Sequence, residues 1–76
     1  MAHFAELDSQ NYVLRVVVIE NEEMTDPNGN ESEELGRARC EELFGGRWAQ
    51  TSYNATIRGK FAGIGDFYDE EGDVFR

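Results

Sequence analysis

The chain lacks the covalent and metal-based supports that hold many small domains together. Its 76 residues include one cysteine and one proline, so an internal disulfide is excluded, and no Cys or His residues stand at the spacing of a zinc site. A chain of this length buries only about 60% of the surface that its unfolded form exposes. We therefore expect its stability to come from good local structure or from association with other chains.

Long apolar segments are also missing, and positive charge is scarce. The longest apolar run is Val16 to Ile19, and the N-terminus MAHFAELDSQ has neither the basic start nor the apolar core of a signal peptide. Sixteen Asp and Glu against seven Lys and Arg give a formal charge of -9, which repels nucleic-acid backbones. The sequence therefore indicates a soluble cytoplasmic domain, unless a larger particle carries it out, and we expect no direct binding to nucleic acid or membranes.

Hydrophobic patterning predicts a β-hairpin in the first twenty residues. Phe4, Glu6 and Asp8 alternate with Ala5 and Leu7, a polar turn DSQN follows, and the run Val13 to Ile19 is the strongest strand signal of the chain. Because one face of this strand is wholly apolar and the other nearly so, we expect the strand to lie in the centre of the sheet. Alternation predicts two faces, the first with Val13, Arg15, Val17 and Ile19 and the second with Leu14, Val16 and Val18.

A loop and then a helix are predicted next. The segment NEEMTDPNGNESEE is rich in turn residues, and either Asn30 or Ser32 is suited to cap the helix that follows it. Two glycines, Gly45 and Gly46, are expected to end that helix. On its exposed side Arg37 is placed to pair with glutamates four residues away, Glu33 and Glu41. Its buried stripe is predicted to consist of Gly36, Cys40, Leu43 and Phe44, with Leu35 at the margin.

The C-terminal part has strand and turn composition. Arg47 to Tyr53 is predicted as a strand, a loop or short strand surrounds Ile57, an aromatic segment spans 60–68, and the turn DEEGD precedes Val74 and Phe75. Residues 1–76 therefore predict one small α+β domain of ββαβββ order. Its antiparallel sheet would have four to five strands, with one helix packed on a face.

The residues predict no catalytic, cofactor or metal site. Cys40 lies on the stripe expected to be buried and is distant from the only histidine, His3, so packing is the favoured interpretation. The loop that starts at Asp26 resembles a calcium loop, but its sixth and twelfth positions are Glu31 and Arg37 instead of Gly and Glu. A cluster of carboxylates is interpreted as a solvated hairpin tip; its members are Asp66, Asp69, Glu70, Glu71 and Asp73.

Aromatic residues crowd the C-terminal half, where they could form either an interface or a small core. Alternation puts Trp48 and Tyr53 on opposite faces of one strand. We expect Trp48 inside, on the helix side, and Tyr53 available for contact. The candidate partner-contact residues are Tyr53, Phe61, Phe67, Tyr68 and Phe75.

Three segments, MAHFAELD, LFGGRWAQTSYN and FAGIGDFYDEEGDVF, resemble a group of short proteins encoded by marine tailed phages, including cyanophages. Members of that group open with Met-Ala-His-Phe-Ala, carry a Trp-x-Gln-Thr-Ser-Tyr-Asn block and end in Tyr-Ala-Gly-Ile-Gly-Tyr-x-Tyr-Asp-Glu, often followed by a tail rich in proline and tryptophan. This chain differs at Phe61 and at Asp66-Phe67, and its sequence stops at Arg76 without such a tail. The resemblance implies a virion or tail-associated component.

Two classes of function are therefore expected, and neither is enzymatic. The first is a phage structural or accessory protein, a protein–protein interaction domain that forms a homo-oligomer or joins a larger phage assembly in the virion or the infected-host cytoplasm. The second is an acidic phage inhibitor or DNA mimic that acts on a basic host protein. Mimicry needs carboxylates spaced like phosphates along one face, and basic residues interrupt that pattern at Arg37, Arg39, Arg47, Arg58 and Lys60.

Overall fold

A computed structural model describes all residues, 1–76. The elements in chain order are β1 (Ala2–Leu7), β2 (Val13–Ile19), a 3₁₀ turn (Asn21–Met24), α1 (Glu33–Phe44), β3 (Arg47–Thr51), β4 (Tyr68–Asp69) and β5 (Val74–Phe75). The expected α+β class with one helix and an antiparallel sheet is confirmed. A single sheet of four to five strands is not formed, because three strands make one sheet and the short β4 and β5 make a separate ribbon.

The central strand of the sheet is β1. The strand order is β2-β1-β3, and Ala5 of β1 pairs with Val16 of β2 on one side and Ala49 of β3 on the other. The prediction of a central β2 was therefore wrong. Apolar residues on both faces of a strand indicate that both faces are covered, and they carry no information on whether both edges are paired.

A β-bulge at Leu14 moves Val13 to the other face of the sheet. Glu6 pairs with Arg15 and Leu7 pairs with Val13, so Leu14 is an extra residue on β2. Val13 then packs in a different cluster from Val17 and Ile19. The prediction that Val13 shares a face with those residues was wrong, because an inserted residue breaks the two-residue alternation of a strand.

Both faces of the sheet are covered, each by its own apolar cluster. The helix face packs against α1 through Ala2, Phe4, Ile19, Met24, Cys40 and Trp48. The ribbon face packs against the C-terminal segment through Ala5, Leu7, Val13, Ala49, Ala62 and Phe75. Residues from both ends of the chain therefore contribute to one three-layered domain.

Helix α1 begins and ends at predicted residues. Ser32 caps it, with Oγ accepting a hydrogen bond from the backbone N–H of Leu35, and Gly45 ends it with φ of 72°. The predicted stripe is buried at Gly36 and Cys40, but two other members, Leu43 and Phe44, are 47% and 45% exposed. The last turn of α1 is therefore only partly covered.

The ion pairs expected at Arg37 do not form. Glu33 binds Arg58 instead, at 3.0 Å, and Arg37 has no ion pair. Arg39 is the arginine of α1 that pairs, with Glu23 of the 3₁₀ turn at 3.0 Å and with Glu42. Contacts beyond the helix decide the pairings of Glu33 with Arg58 and of Arg39 with Glu23, since i and i+4 spacing supplies only a few tenths of a kcal/mol, ~0.3 to 0.5 for a pair.

Candidate interaction surface

The outer edge of β3 is closed by side chains. The backbone N–H of Gln50 donates to Oε2 of Glu33 at 3.1 Å, and its C=O accepts from Nη1 of Arg58 at 2.9 Å. Arg58 and Glu33 also pair with each other at 3.0 Å. A further strand is thus excluded at Gln50, because its backbone groups are already satisfied.

The outer edge of β2 is covered only at its start. Val13 donates its backbone N–H to the C=O of Asp66 at 2.8 Å and accepts from the N–H of Gly65 at 2.9 Å. No strand lies beside the remainder of β2. We call this uncovered stretch, from Leu14 to Ile19, the β2 edge.

The backbone of the β2 edge has unpaired groups at two residues. The backbone N–H and C=O of Gln50 point away from β1. Its cross-strand neighbour Phe4 therefore has no backbone hydrogen bond to β3, and it directs its own N–H and C=O toward Val17 of β2. Alternation then turns the N–H and C=O of Val16 and Val18 away from β1. These groups have no hydrogen-bond partner within the chain, and they can accept an added strand.

Apolar side chains accompany these open backbone groups. Val18 is 50% exposed and Leu14 is 51% exposed. Ile64 is 80% exposed and directly precedes Gly65, which binds Val13. An uncovered sheet edge with apolar side chains is a known template for protein association.

Two of the predicted contact residues, Tyr53 and Phe61, form an aromatic cluster with His3 of β1. The ring of His3 lies 6.4 Å from that of Tyr53 and 5.5 Å from that of Phe61, and the latter two rings are 5.6 Å apart. Tyr53 is 77% exposed. His3 pairs with Val18 across β1 and β2, whereas Tyr53 and Phe61 follow β3 on the other side of β1. The cluster therefore reaches the β2 edge only through His3.

The other three predicted contact residues lie deeper. Phe67 packs against Tyr12 with ring centroids 5.3 Å apart, and Tyr68 packs against Phe75 at the same separation. Phe67 and Tyr68 are half-buried, and Phe75 is a buried member of the ribbon-face cluster. Phe75 therefore offers no ring surface to a partner, because its ring fills the small core.

Sequence reasoning missed Leu14, Val18 and Ile64 as surface residues. The available signal was the wholly apolar second face of β2, which was interpreted as the mark of a central strand. Trp48, by contrast, lies where it was expected, buried on the helix face, with its indole N–H donating to the C=O of Gly45 at 2.7 Å.

A cleft of about 430 Å³ lies beside β3 and is lined by charged side chains. Within it Glu33 pairs with Arg58, and Arg47 pairs with Glu70 at 3.1 Å. Burial by itself would lower the pKa of the Arg58 guanidinium, but hydrogen bonds to Glu33 and Asp73 outweigh burial and raise that pKa above its ordinary value. These ion pairs connect α1, β3 and the ribbon to one another.

The carboxylate cluster near the C-terminus is partly engaged. Asp66 binds Lys60 at 2.9 Å and Asp69 binds Arg76 at 3.0 Å, and these hydrogen bonds lower the pKa of each aspartate. Asp73 accepts from the Tyr68 hydroxyl at 2.6 Å, and this bond, with a second from Arg58, lowers its pKa too. The predicted solvated hairpin tip is therefore fixed by several charged contacts.

Cys40 is buried in the helix-face cluster, as predicted. Burial, helped by the charges of Glu23 and Glu41, raises the pKa of its thiol to about 11. A thiol in such surroundings is protonated at neutral pH and a poor nucleophile.

No three His, Cys, Asp or Glu side chains converge in a way that would hold a metal ion. The one α-helix is too short and too polar to cross a bilayer. No protein-family model, curated protein or solved structure matches the chain.

Proposed function

We propose that this chain is a non-enzymatic protein–protein interaction domain, a structural or accessory component of a tailed-phage particle. The observation that carries the proposal is the β2 edge, where the backbone groups of Val16 and Val18 are unpaired. Strand addition to such an edge supplies main-chain hydrogen bonds, while neighbouring side chains supply selectivity.

The size of the core supports assembly as well. Fully buried large side chains are few, with Phe4, Thr51 and Cys40 the largest. Binding of a partner stabilises such a domain by mass action, because a partner that binds only the folded state shifts the folding equilibrium toward that state. Repeated copies in a particle would provide such a partner continuously.

The aromatic cluster of His3, Tyr53 and Phe61 is a second candidate contact area, and His3 links it to Val18 of the β2 edge. Aromatic rings bring large contact area at little entropic cost, which is why they are frequent in interface centres. All three residues fall within segments that resemble the short marine phage proteins. Virion or tail association is thus the proposed setting.

Mass spectrometry of purified particles tests this proposal. Particles of a phage that encodes the chain would be banded on a density gradient, treated with a lysine- and acid-reactive cross-linker, and digested. We expect peptides of this chain in the particle band, with cross-links to itself or to another particle protein. A phage deleted for the gene provides the matched control.

Two other results would argue against the proposal. A strict monomer that is absent from particles contradicts it. Recovery from host lysate with a basic protein, in a complex that high salt dissociates, would instead favour the alternative of an acidic inhibitor or DNA mimic.

A further inference from the structure

The structure assigns a specific partner to the β2 edge: the same edge of a second copy, in antiparallel pairing about a two-fold axis at Val17. This inference rests on the proposed function, since it names the surface through which the domain assembles. The unpaired backbone groups belong to Val16 and Val18, which flank Val17 symmetrically. When Val16 of each copy meets Val18 of the other, all of these groups are satisfied.

The side chains along this pairing are self-complementary. On the ribbon face, Val16 of one copy meets Val18 of the other, and on the helix face the two Val17 side chains meet. Cross-strand pairs of β-branched residues stabilise sheets. A two-fold interface requires one patch that fits itself, and a row of valines meets this requirement.

The segment that already covers the start of β2 fixes the position of the axis. Gly65 and Asp66 occupy the edge beside Val13. An axis at Val16 would bring Ile19 of the second copy into that occupied place. With the axis at Val17, Glu20 of the second copy lies opposite Leu14, so the second strand ends before it reaches Gly65 and Asp66.

Charge also favours the β2 edge as the place where copies meet. Each chain carries a formal charge of -9, so copies repel one another over most of their surfaces. The strand itself has no carboxylate, and its one charged residue, Arg15, is 2.7 Å from Glu6 of its own chain. Salt screens the net repulsion, and the dimer should therefore become tighter as salt is added.

Sedimentation equilibrium of the full chain over a range of concentrations, at low and high salt, measures this association. Hydrogen exchange followed by NMR locates it. We expect the amides of Val16 and Val18 to exchange more slowly as concentration rises, because they become hydrogen-bonded in the dimer. The amide of Val17, which already faces Phe4 of β1, is the internal reference and should change less.

A matched pair of lysine variants tests the contact. Val18→Lys and Leu43→Lys make the same change of charge at residues that are 50% and 47% exposed. Leu43 lies on α1 and is not part of the β2 edge. We expect V18K to raise the dimer dissociation constant at least about tenfold, because both symmetric valine pairs are lost, and L43K to change it less than about twofold.

Circular dichroism checks that V18K folds, and Val18→Thr serves as a milder second variant with the same expected direction. A dimer that neither variant weakens, or one that salt dissociates, overturns the assignment. A strict monomer at every concentration overturns it as well. If that monomer is nevertheless found in purified particles, the proposed function stands and only the self-pairing is wrong.

Discussion

Arg58 and Glu33 face each other across the outer edge of β3, with Nη1 and Oε2 3.0 Å apart. Between them they bind the N–H and C=O of Gln50. The same guanidinium donates to Asp73 at 2.7 Å and lies over the ring of Tyr68. One side chain thus connects the helix, the sheet and the ribbon, and it closes one edge of the sheet while the β2 edge stays open.

Replacing Arg58 by methionine (R58M) should destabilise the fold strongly. The variant keeps most of the side-chain volume but leaves Glu33 without its cation and the C=O of Gln50 without its donor. Arg58 is 14% exposed and Glu33 is 29% exposed, so the loss is smaller than for a fully buried pair. We expect a decrease of about 2–3 kcal/mol in the free energy of unfolding, measured by urea denaturation.

The matched control for this prediction is Arg37→Met (R37M). Arg37 is exposed and has no ion pair, so its replacement should change the free energy of unfolding by less than about 0.5 kcal/mol. Equal stabilities of R58M and R37M would show that the contacts of Arg58 contribute nothing to folding.

Gly36 is required by the approach of α1 to β1. A Cβ at Gly36 would lie 2.8 Å from Cε1 of Phe4 and 3.2 Å from Cβ of Met24. Gly36→Ala should therefore lower the free energy of unfolding by about 1–3 kcal/mol, although alanine is the better helix former by about 1 kcal/mol. Thermal and urea unfolding would measure the change.

Replacing the ring of Phe4 by the smaller side chain of leucine should relieve this clash. In a double-mutant cycle, Gly36→Ala combined with Phe4→Leu should cost at least about 1 kcal/mol less than the sum of the two single variants. If the two changes in the free energy of unfolding simply add, or if Gly36→Ala alone stabilises the fold, then an alanine at position 36 does not clash with Phe4.

Features that depend on near neighbours in the chain could be predicted from sequence. Ser32 and Gly45 bound α1 because a cap and a left-handed residue act within one turn. The first hairpin was predicted for the same reason, since its alternation and its turn are adjacent in sequence. The burial of Trp48 followed from alternation within a single strand.

Features that depend on distant pairing could not be predicted. Whether β2 is central or at an edge is decided by where β3 docks, and β3 follows only after a loop and a helix. The extra residue Leu14 produces no local signal, yet it changes the environment of Val13. For the candidate surface, Tyr53 is exposed as expected, whereas Phe75 is buried because the ribbon folds back onto the sheet.

Acid should weaken the fold through Asp66, whose pKa is lowered first by its hydrogen bond to Lys60 and then by that from the backbone of Gly63. A carboxylate with a folded-state pKa below the unfolded one adds stability above the unfolded pKa. That stability is lost as the pH falls through the folded pKa. Asp66→Asn should therefore lower the free energy of unfolding by about 1 kcal/mol at neutral pH, and less at each step below about pH 4.

Urea midpoints of the wild type and the variants at graded pH check this dependence. Glu71→Gln is the control, because Glu71 is exposed and its carboxylate has no partner. Its difference from wild type should be small and constant. If Asp66→Asn lowers the free energy of unfolding by the same amount in acid as at neutral pH, the shape of the Asp66 side chain, and not its charge, is the cause.

Cys40 should react with thiol reagents only when the domain opens. With its pKa raised to about 11 by burial, only about one thousandth of the thiol is ionised at about pH 8, against about a quarter for an ordinary cysteine. Labelling by iodoacetamide, followed by mass spectrometry, should be at least about 100-fold slower in buffer than in denaturing guanidinium chloride. The matched control is Ala38→Cys in a Cys40→Ala background, because Ala38 is exposed on α1. This cysteine should react nearly as fast in the folded chain as in the unfolded chain.

Rapid labelling of Cys40 in the native chain would mean that the helix-face cluster opens far more often than its packing indicates.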